Sequence, residues 1–188
     1  MKRRARWFLG MALSSLLAVS VSASATVVVP LSRQELTDQS DVVVRATVVS
    51  RLSRWNDDHS QIITLTRVRV TETVKGHAER ELVIRQFGGE VDGLVSEVAG
   101  DGRLVQGQHV VLFLRRGPEV YFLTALAQAV FVVTMDPQSS ATVQRRLEGL
   151  TFARWVNGRM AASEASAEPV ETLEHLLRDL RAIAGRRP

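Results

Sequence analysis

Val42-Val43-Val44-Arg45-Ala46-Thr47-Val48-Val49-Ser50-Arg51-Leu52 is the stretch that decides the fold. Val42, Val44, Ala46, Val48 and Leu52 recur at even positions, while Arg45, Thr47 and Arg51 take odd ones. A strand places alternate side chains on opposite faces, so this spacing predicts a strand with one buried side.

The same period continues downstream. Residues 61–74 read as a second, longer strand whose apolar phase changes partway: Ile63 and Leu65 are odd, Val68, Val70 and Val74 even. A phase change in a period-two pattern predicts an inserted residue, here a β-bulge near Thr66-Arg67 that bends the strand. Lys75-Gly76-His77 reads as a turn, residues 81–87 as a strand, and Gly88-Gly89 as its break, with a short segment at 94–98 pairing nearby. Residues 109–115 carry Val110, Val111, Leu112, Phe113 and Leu114 without alternation, the mark of a strand buried on both faces. Further strands are expected at 120–124 and 127–135, the latter hairpinned through Asp136-Pro137 onto 141–145.

Helices flank the strands. Ser32 and Glu35 form an S-x-x-E capping box, and Leu31 and Leu36 occupy the two positions of a hydrophobic staple, so a short helix starts here and runs to about residue 39. Near the other end, Val170, Leu173, Leu176, Leu177, Leu180 and Ile183 share one face of a helix over 169–184, with Pro169 in its first turn. Six to eight strands, with turn signals at intervals of about 8–12 residues, fit a mainly β fold. A small OB-like antiparallel barrel with a short N-terminal helix and a C-terminal amphipathic helix accommodates them. The organisation expected is a cleaved signal peptide over 1–25, a barrel domain over 26–160, a small-residue linker over 161–168, and a helix over 169–184 that packs on the barrel.

The leader rests on three parts in order. Lys2, Arg3, Arg4 and Arg6 form a basic start, an apolar run follows from Trp7 to about Val21, and Ala23-Ser24-Ala25 supplies small residues for cleavage. Serines from Ser14 onward interrupt the run, which argues against a membrane anchor. The implied location is outside the cytoplasm, periplasmic or secreted. Four of the 24 Lys and Arg lie in this leader and none of the 20 Asp and Glu do, leaving 20 against 20 beyond it. That balance gives no electrostatic reason to expect nucleic acid or an anionic membrane as partner. With no cysteine, the chain has no disulfide, thiolate metal site or Cys nucleophile.

No H-E-x-x-H, G-x-S-x-G, Walker or dinucleotide-binding pattern occurs, so no enzyme class and no cofactor is indicated. Trp55-Asn56-Asp57-Asp58-His59 offers two carboxylates and an imidazole for a metal, with Trp55 to stack on a ligand; equally, it is a hairpin loop using Asn and Asp for turn chemistry. Gly88-Gly89-Glu90-Val91-Asp92-Gly93 is either a ligand-wrapping loop or glycine placed for backbone angles. His59, His77, His109 and His175 lie in separate elements without ligand spacing. Val27-Val28-Val29-Pro30, apolar and just beyond the cleavage site, is either a contact for a partner or an edge strand.

The run from Ser40 to Ser50, then Thr73-Val74-Lys75-Gly76 and Gly107-Gln108-His109-Val110-Val111-Leu112-Phe113-Leu114, resembles the netrin-type module of the tissue inhibitors of metalloproteinases. The likeness covers roughly residues 31–133 and implies an OB-like barrel. It is also similar to bacterial exported proteins without assigned activity, some encoded beside secreted metalloproteases. Those inhibitors chelate zinc through an N-terminal cysteine, which this chain lacks, so no inhibitory residue carries over. The functional expectation is a non-enzymatic exported module that binds a protein through Val27, Val28, Val29, Pro30 and Trp55, with a secreted protease among the candidate partners. The alternatives are an inhibitor or companion of a secreted metalloprotease, and a metal-assisted hydrolase using Asp57, Asp58 and His59.

Overall fold

The computed structural model describes residues 26–135, 140–147, 150–156, 159–164 and 168–186. In chain order it forms β1 (Thr26–Val28), α1 (Arg33–Gln39), β2 (Val42–Trp55), β3 (Ile62–Lys75), β4 (Glu81–Phe87), β5 (Gly89–Val91), β6 (Leu94–Ser96) and β7 (His109–Arg116). There follow β8 (Tyr121–Ala127), β9 (Val130–Thr134), β10 (Thr142–Arg145), β11 (Leu150–Val156), β12 (Arg159–Glu164), β13 (Glu171–Thr172) and α2 (Leu173–Gly185).

The fold is mainly β, built on a closed five-stranded barrel in the order β7-β2-β3-β4-β8, with β8 returning to β7. The pairs are antiparallel except for β4 and β8, which meet in parallel at Ile84 and Tyr121. β9 takes the half of β7 that β8 leaves free, and β10 and β13 extend the sheet beyond it. β1, β11 and β12 form a separate three-stranded sheet, and β5 and β6 a small hairpin.

β7 shows why the chain closes this way. Val110, Leu112 and Leu114 point into the barrel beside Val44, Val68 and Ile84. Val111 and Phe113 point outward, under Leu36 of α1 and Leu173, Leu176, Leu177 and Leu180 of α2. Two cores thus share one strand, as its unbroken apolar run requires. Full burial of each α2 leucine stabilises by about 1.5–3 kcal/mol, enough to seat the helix on the barrel's outer face. The capping box of α1 is formed, with Ser32 and Glu35 exchanging hydrogen bonds. Among the described residues no helix is long and apolar enough to cross a membrane.

The bulge falls elsewhere than the apolar pattern suggests. Val48 pairs with Val68 and Ser50 with Arg67, so the inserted residue is Val49 on β2, opposite the expected point on β3. From Ile62 to Val70 β3 keeps one phase: Ile62, Thr64, Thr66 and Val68 are all buried, and the apparent slip arises because two inward positions are threonines; the inserted residues of β3 itself are Thr71 and Val74, further along. Past Val49 the faces of β2 exchange. Leu52, expected inside with Val48, is 62 % exposed and pairs with Leu65 on the outer surface.

Three other boundaries differ. α2 begins at Leu173, because the Thr172 side chain accepts from the His175 N–H as N-cap, leaving Pro169 outside the helix and Val170 exposed. Residues 161–164 are strand rather than linker: their backbone ladders with β11, and ladder bonds need no large side chains. β8 and β9 are split by a turn at Gln128, whose amide is spent on Leu31 N–H and the Val29 carbonyl. The leader over 1–25 and the turn at Asp136-Pro137 lie outside the described residues.

Candidate functional site

The exchange of faces at Val49 sets up the most elaborate polar structure in the barrel. Beyond the bulge, Arg51 pairs with Thr66 and Ser53 with Thr64, so these four side chains converge at one end of the barrel. Gln86 on β4 joins them, paired with Thr64 across β3 and β4. Buried polar groups must find partners or cost free energy, and here they do. The Thr66 hydroxyl donates to Gln86 Oε1 at 3.2 Å. Gln86 Nε2 donates to the Gly102 carbonyl at 2.6 Å and to Asp101 Oδ2 at 3.2 Å. Asp101 Oδ1 accepts from Gly102 N–H at 2.8 Å. The Thr64 hydroxyl donates to the Gly88 carbonyl at 2.7 Å and contacts Ser53 Oγ at 2.9 Å.

This chain of bonds ties the loop at 97–103 and the start of the β5–β6 hairpin to the barrel wall. Gly89, at φ 136°, passes so close that an added Cβ would lie 2.4 Å from Ser53 Oγ and 2.5 Å from Thr64 Oγ1. Only glycine fits there. Burial pushes the Asp101 carboxyl above its ordinary range, an effect that its hydrogen bonds and the Arg51 guanidinium oppose.

Two clefts open at this barrel mouth. One, of about 540 Å³, is lined by Arg51, Ser53, Thr64, Gln86, Glu90 and Asp101 among others. The other, of about 520 Å³, is lined by Trp55, Ile62, Leu94 and neighbours, and shares Phe87, Gly88, Val95, Ser96 and Val98 with the first. The apolar side chains of this rim, with Leu94 beside them in the second cleft, are open to solvent: Phe87 is 48 % exposed, Leu94 57 %, Val95 65 % and Val98 40 %. Chemically, the mouth offers a half-buried carboxylate, a guanidinium, hydroxyls and an apolar ridge.

The residues singled out from sequence distribute unevenly around it. Trp55 ends β2, lines the second cleft and stacks on His59 with centroids 6.4 Å apart. Asp57 is engaged by Arg54 at 3.1 Å, and Asp58 accepts from Ser60, which holds its carboxyl below the usual range. His59 sits at φ 55° in the turn. Asn56 Oδ1 accepts from Ser60 and Gln61 N–H groups, so the loop uses its polar residues for turn chemistry. Among the described residues no three His, Asp or Glu side chains are placed to hold a metal, Asp57, Asp58 and His59 included. Glu90 and Asp92 of the glycine-rich loop lie on the exposed β5–β6 hairpin. His77, His109 and His175 are apart; His109 meets Thr47, and His175 meets Glu171. Val27 and Val28 belong to β1, which pairs in parallel with β11 as the edge of its sheet. Val28 packs on the cluster of Leu147, Leu150 and Phe152, while Val27 and Val29 are exposed. Pro30 follows, just before Leu31 docks on Gln128.

Ser53, Thr64, Thr66, Gln86 and Asp101 escape a search for catalytic motifs, because none belongs to one. Their trace in the sequence is the broken apolar phase at Thr64 and Thr66, with the glycine pair at 88–89 marking a close backbone approach. No family model matches the chain, and no curated protein matches it in sequence.

Proposed function

We propose that the chain is an exported, non-enzymatic module that binds a protein partner through its barrel mouth. The observation that carries this reading is the exposed apolar ridge of Phe87, Leu94, Val95 and Val98 between two adjoining clefts. Large apolar side chains grouped on a rigid scaffold cost solubility, and such patches mark interaction sites. The buried Thr66–Gln86–Gly102 chain supplies the rigidity, because it fixes the loop that forms the far wall. Export is supported by the basic, apolar and small-residue order of residues 1–25.

The test is comparative capture. The chain from Thr26, immobilised, is exposed to secreted and envelope fractions of the native host beside a Leu94→Asp/Val95→Asp variant and a Val27→Asp/Val29→Asp variant. A partner retained by wild type and by the β1 variant, and lost by the hairpin variant, supports the barrel mouth. Retention by the hairpin variant with loss by the β1 variant moves the contact to the segment from Val27 to Pro30 and removes this reading.

A further inference from the structure

We infer that the outer face of β2, β3 and β4 is a second docking surface, for an extended acidic segment of a partner protein that carries Asp or Glu and apolar residues in turn along the one face it lays on the sheet. The inference concerns side chains that, Phe87 apart, lie away from the barrel mouth, and it does not depend on that reading.

The register defines the face. Directly paired residues share a side of a sheet, so Thr47, Arg69 and Glu81 form one row, and Ser50, Arg67 and Val83 the next. Leu52, Leu65 and Arg85 form the third, and Arg54, Ile63 and Phe87 the last. The helices cover the other side of the molecule, over β7 and β9. With strands about 4.8 Å apart and like-facing residues about 6.8 Å apart, the face measures about 10 by 20 Å, the footprint of one extended segment; Leu52, Arg54, Arg67, Arg69 and Phe87 on it are exposed, while Ile63 is buried.

Its charge is unbalanced. Arg67 and Arg69 share a single carboxylate, Glu81, at 3.8 and 3.5 Å, beyond hydrogen-bond length. Arg54 is paired with Asp57 of the loop. Among the described residues Arg85 has no carboxylate partner; it lies over the Phe87 ring, and its buried Nε lacks a hydrogen-bond acceptor. Guanidinium groups with unspent donors recognise carboxylates in pairs of parallel bonds. Between them stand Leu52 and Leu65, so cationic and apolar rows interleave.

That interleaving selects the occupant. A second copy laid on the same face would set arginine against arginine. A bilayer surface is matched by apolar side chains gathered beyond a basic collar, whereas here Leu52 and Leu65 sit between arginine rows. An extended segment turns every second side chain to the sheet, so one whose sheet-facing residues are acidic and apolar in turn places each kind opposite its complement.

The probes are an acetylated octapeptide of two Glu-Ser-Leu-Ser repeats (the Glu–Leu peptide), its counterpart with Lys in place of Glu (the Lys–Leu peptide), and phosphatidylglycerol vesicles, each titrated into the isotope-labelled chain from Thr26 and followed by amide shifts. The Glu–Leu peptide should shift residues of the four rows and weaken by about tenfold or more as salt rises from about 0.05 to about 0.5 M. Arg67→Gln/Arg69→Gln should lose about tenfold in affinity with melting unchanged, while Leu94→Asp/Val95→Asp should bind as wild type. Absence of binding, equal binding of the Lys–Leu peptide, shifts confined to the barrel mouth, or response to vesicles alone would each overturn the inference.

Discussion

Replacing Gln86 by Leu isolates the buried polar chain from the shape of the barrel, since the two side chains are of similar size. Gln86 is 7 % exposed, accepts from Thr66 and donates to Gly102 and Asp101. Its loss leaves the Thr66 hydroxyl and the Gly102 carbonyl buried without this partner; Asp101, facing the cleft, can recover water. Each orphaned buried group costs about 1–3 kcal/mol. Better apolar burial of the new side chain offsets about 1–2 kcal/mol of that. The expected net loss is about 2–3 kcal/mol, against a total of about 5–15 kcal/mol for a domain. In thermal unfolding by circular dichroism this is a fall of roughly 5–10 °C. Thr66→Val/Gln86→Leu removes the stranded hydroxyl as well, and should be about 1 kcal/mol more stable than Gln86→Leu alone. A Gln86→Leu variant as stable as wild type, or a double variant whose losses simply add, would refute the claim that these groups form one satisfied unit.

Asp101 predicts a pH effect with a definite sign. Its folded pKa lies above the ordinary 3.8, so ionisation disfavours the fold: the cost is absent below 3.8 and is fully present above the folded value. Asp101→Asn should therefore gain stability relative to wild type as pH rises through that window in urea titrations, and a difference that does not change with pH would contradict it. Gly89→Ala should lose more than about 1 kcal/mol in the same assay, because φ 136° and two hydroxyls at 2.4 and 2.5 Å exclude a Cβ. Lys75 clips the end of α1, donating to the Thr37 carbonyl at 2.5 Å and the Asp38 carbonyl at 3.4 Å. Lys75→Met should cost about 1–2 kcal/mol and raise amide exchange first in residues 37–40.

Residues 42–48, the capping box at Ser32 and the doubly buried run at Val110–Leu114 were legible because each is a local pattern with one physical reading. The bulge was legible only to the extent that something breaks near Thr66. Apolar counting places the inserted residue on β3, whereas the inward polar residues Thr64 and Thr66 keep phase and Val49 on β2 does not. A hydroxyl satisfied by Gln86, 20 residues away in sequence, leaves no mark in local hydrophobicity. β11 and β12 escaped for a related reason: Ala161, Ala162 and Ser163 carry no strand pattern, and the ladder they make is a backbone property. The candidate site belongs to this second kind. Trp55 stood out by its type, but Asp101, Arg51 and Ser53 meet only because a bulge turns β2 over.

The central claim is that the partner sits on the barrel mouth. Deuterium exchange of the chain from Thr26, alone and saturated with whatever partner it captures, tests this directly. Slowed exchange is expected in residues 87–103 and at Trp55, with the helices unchanged. Protection confined to β1 or to α2, with residues 87–103 exchanging as in the free chain, would contradict it.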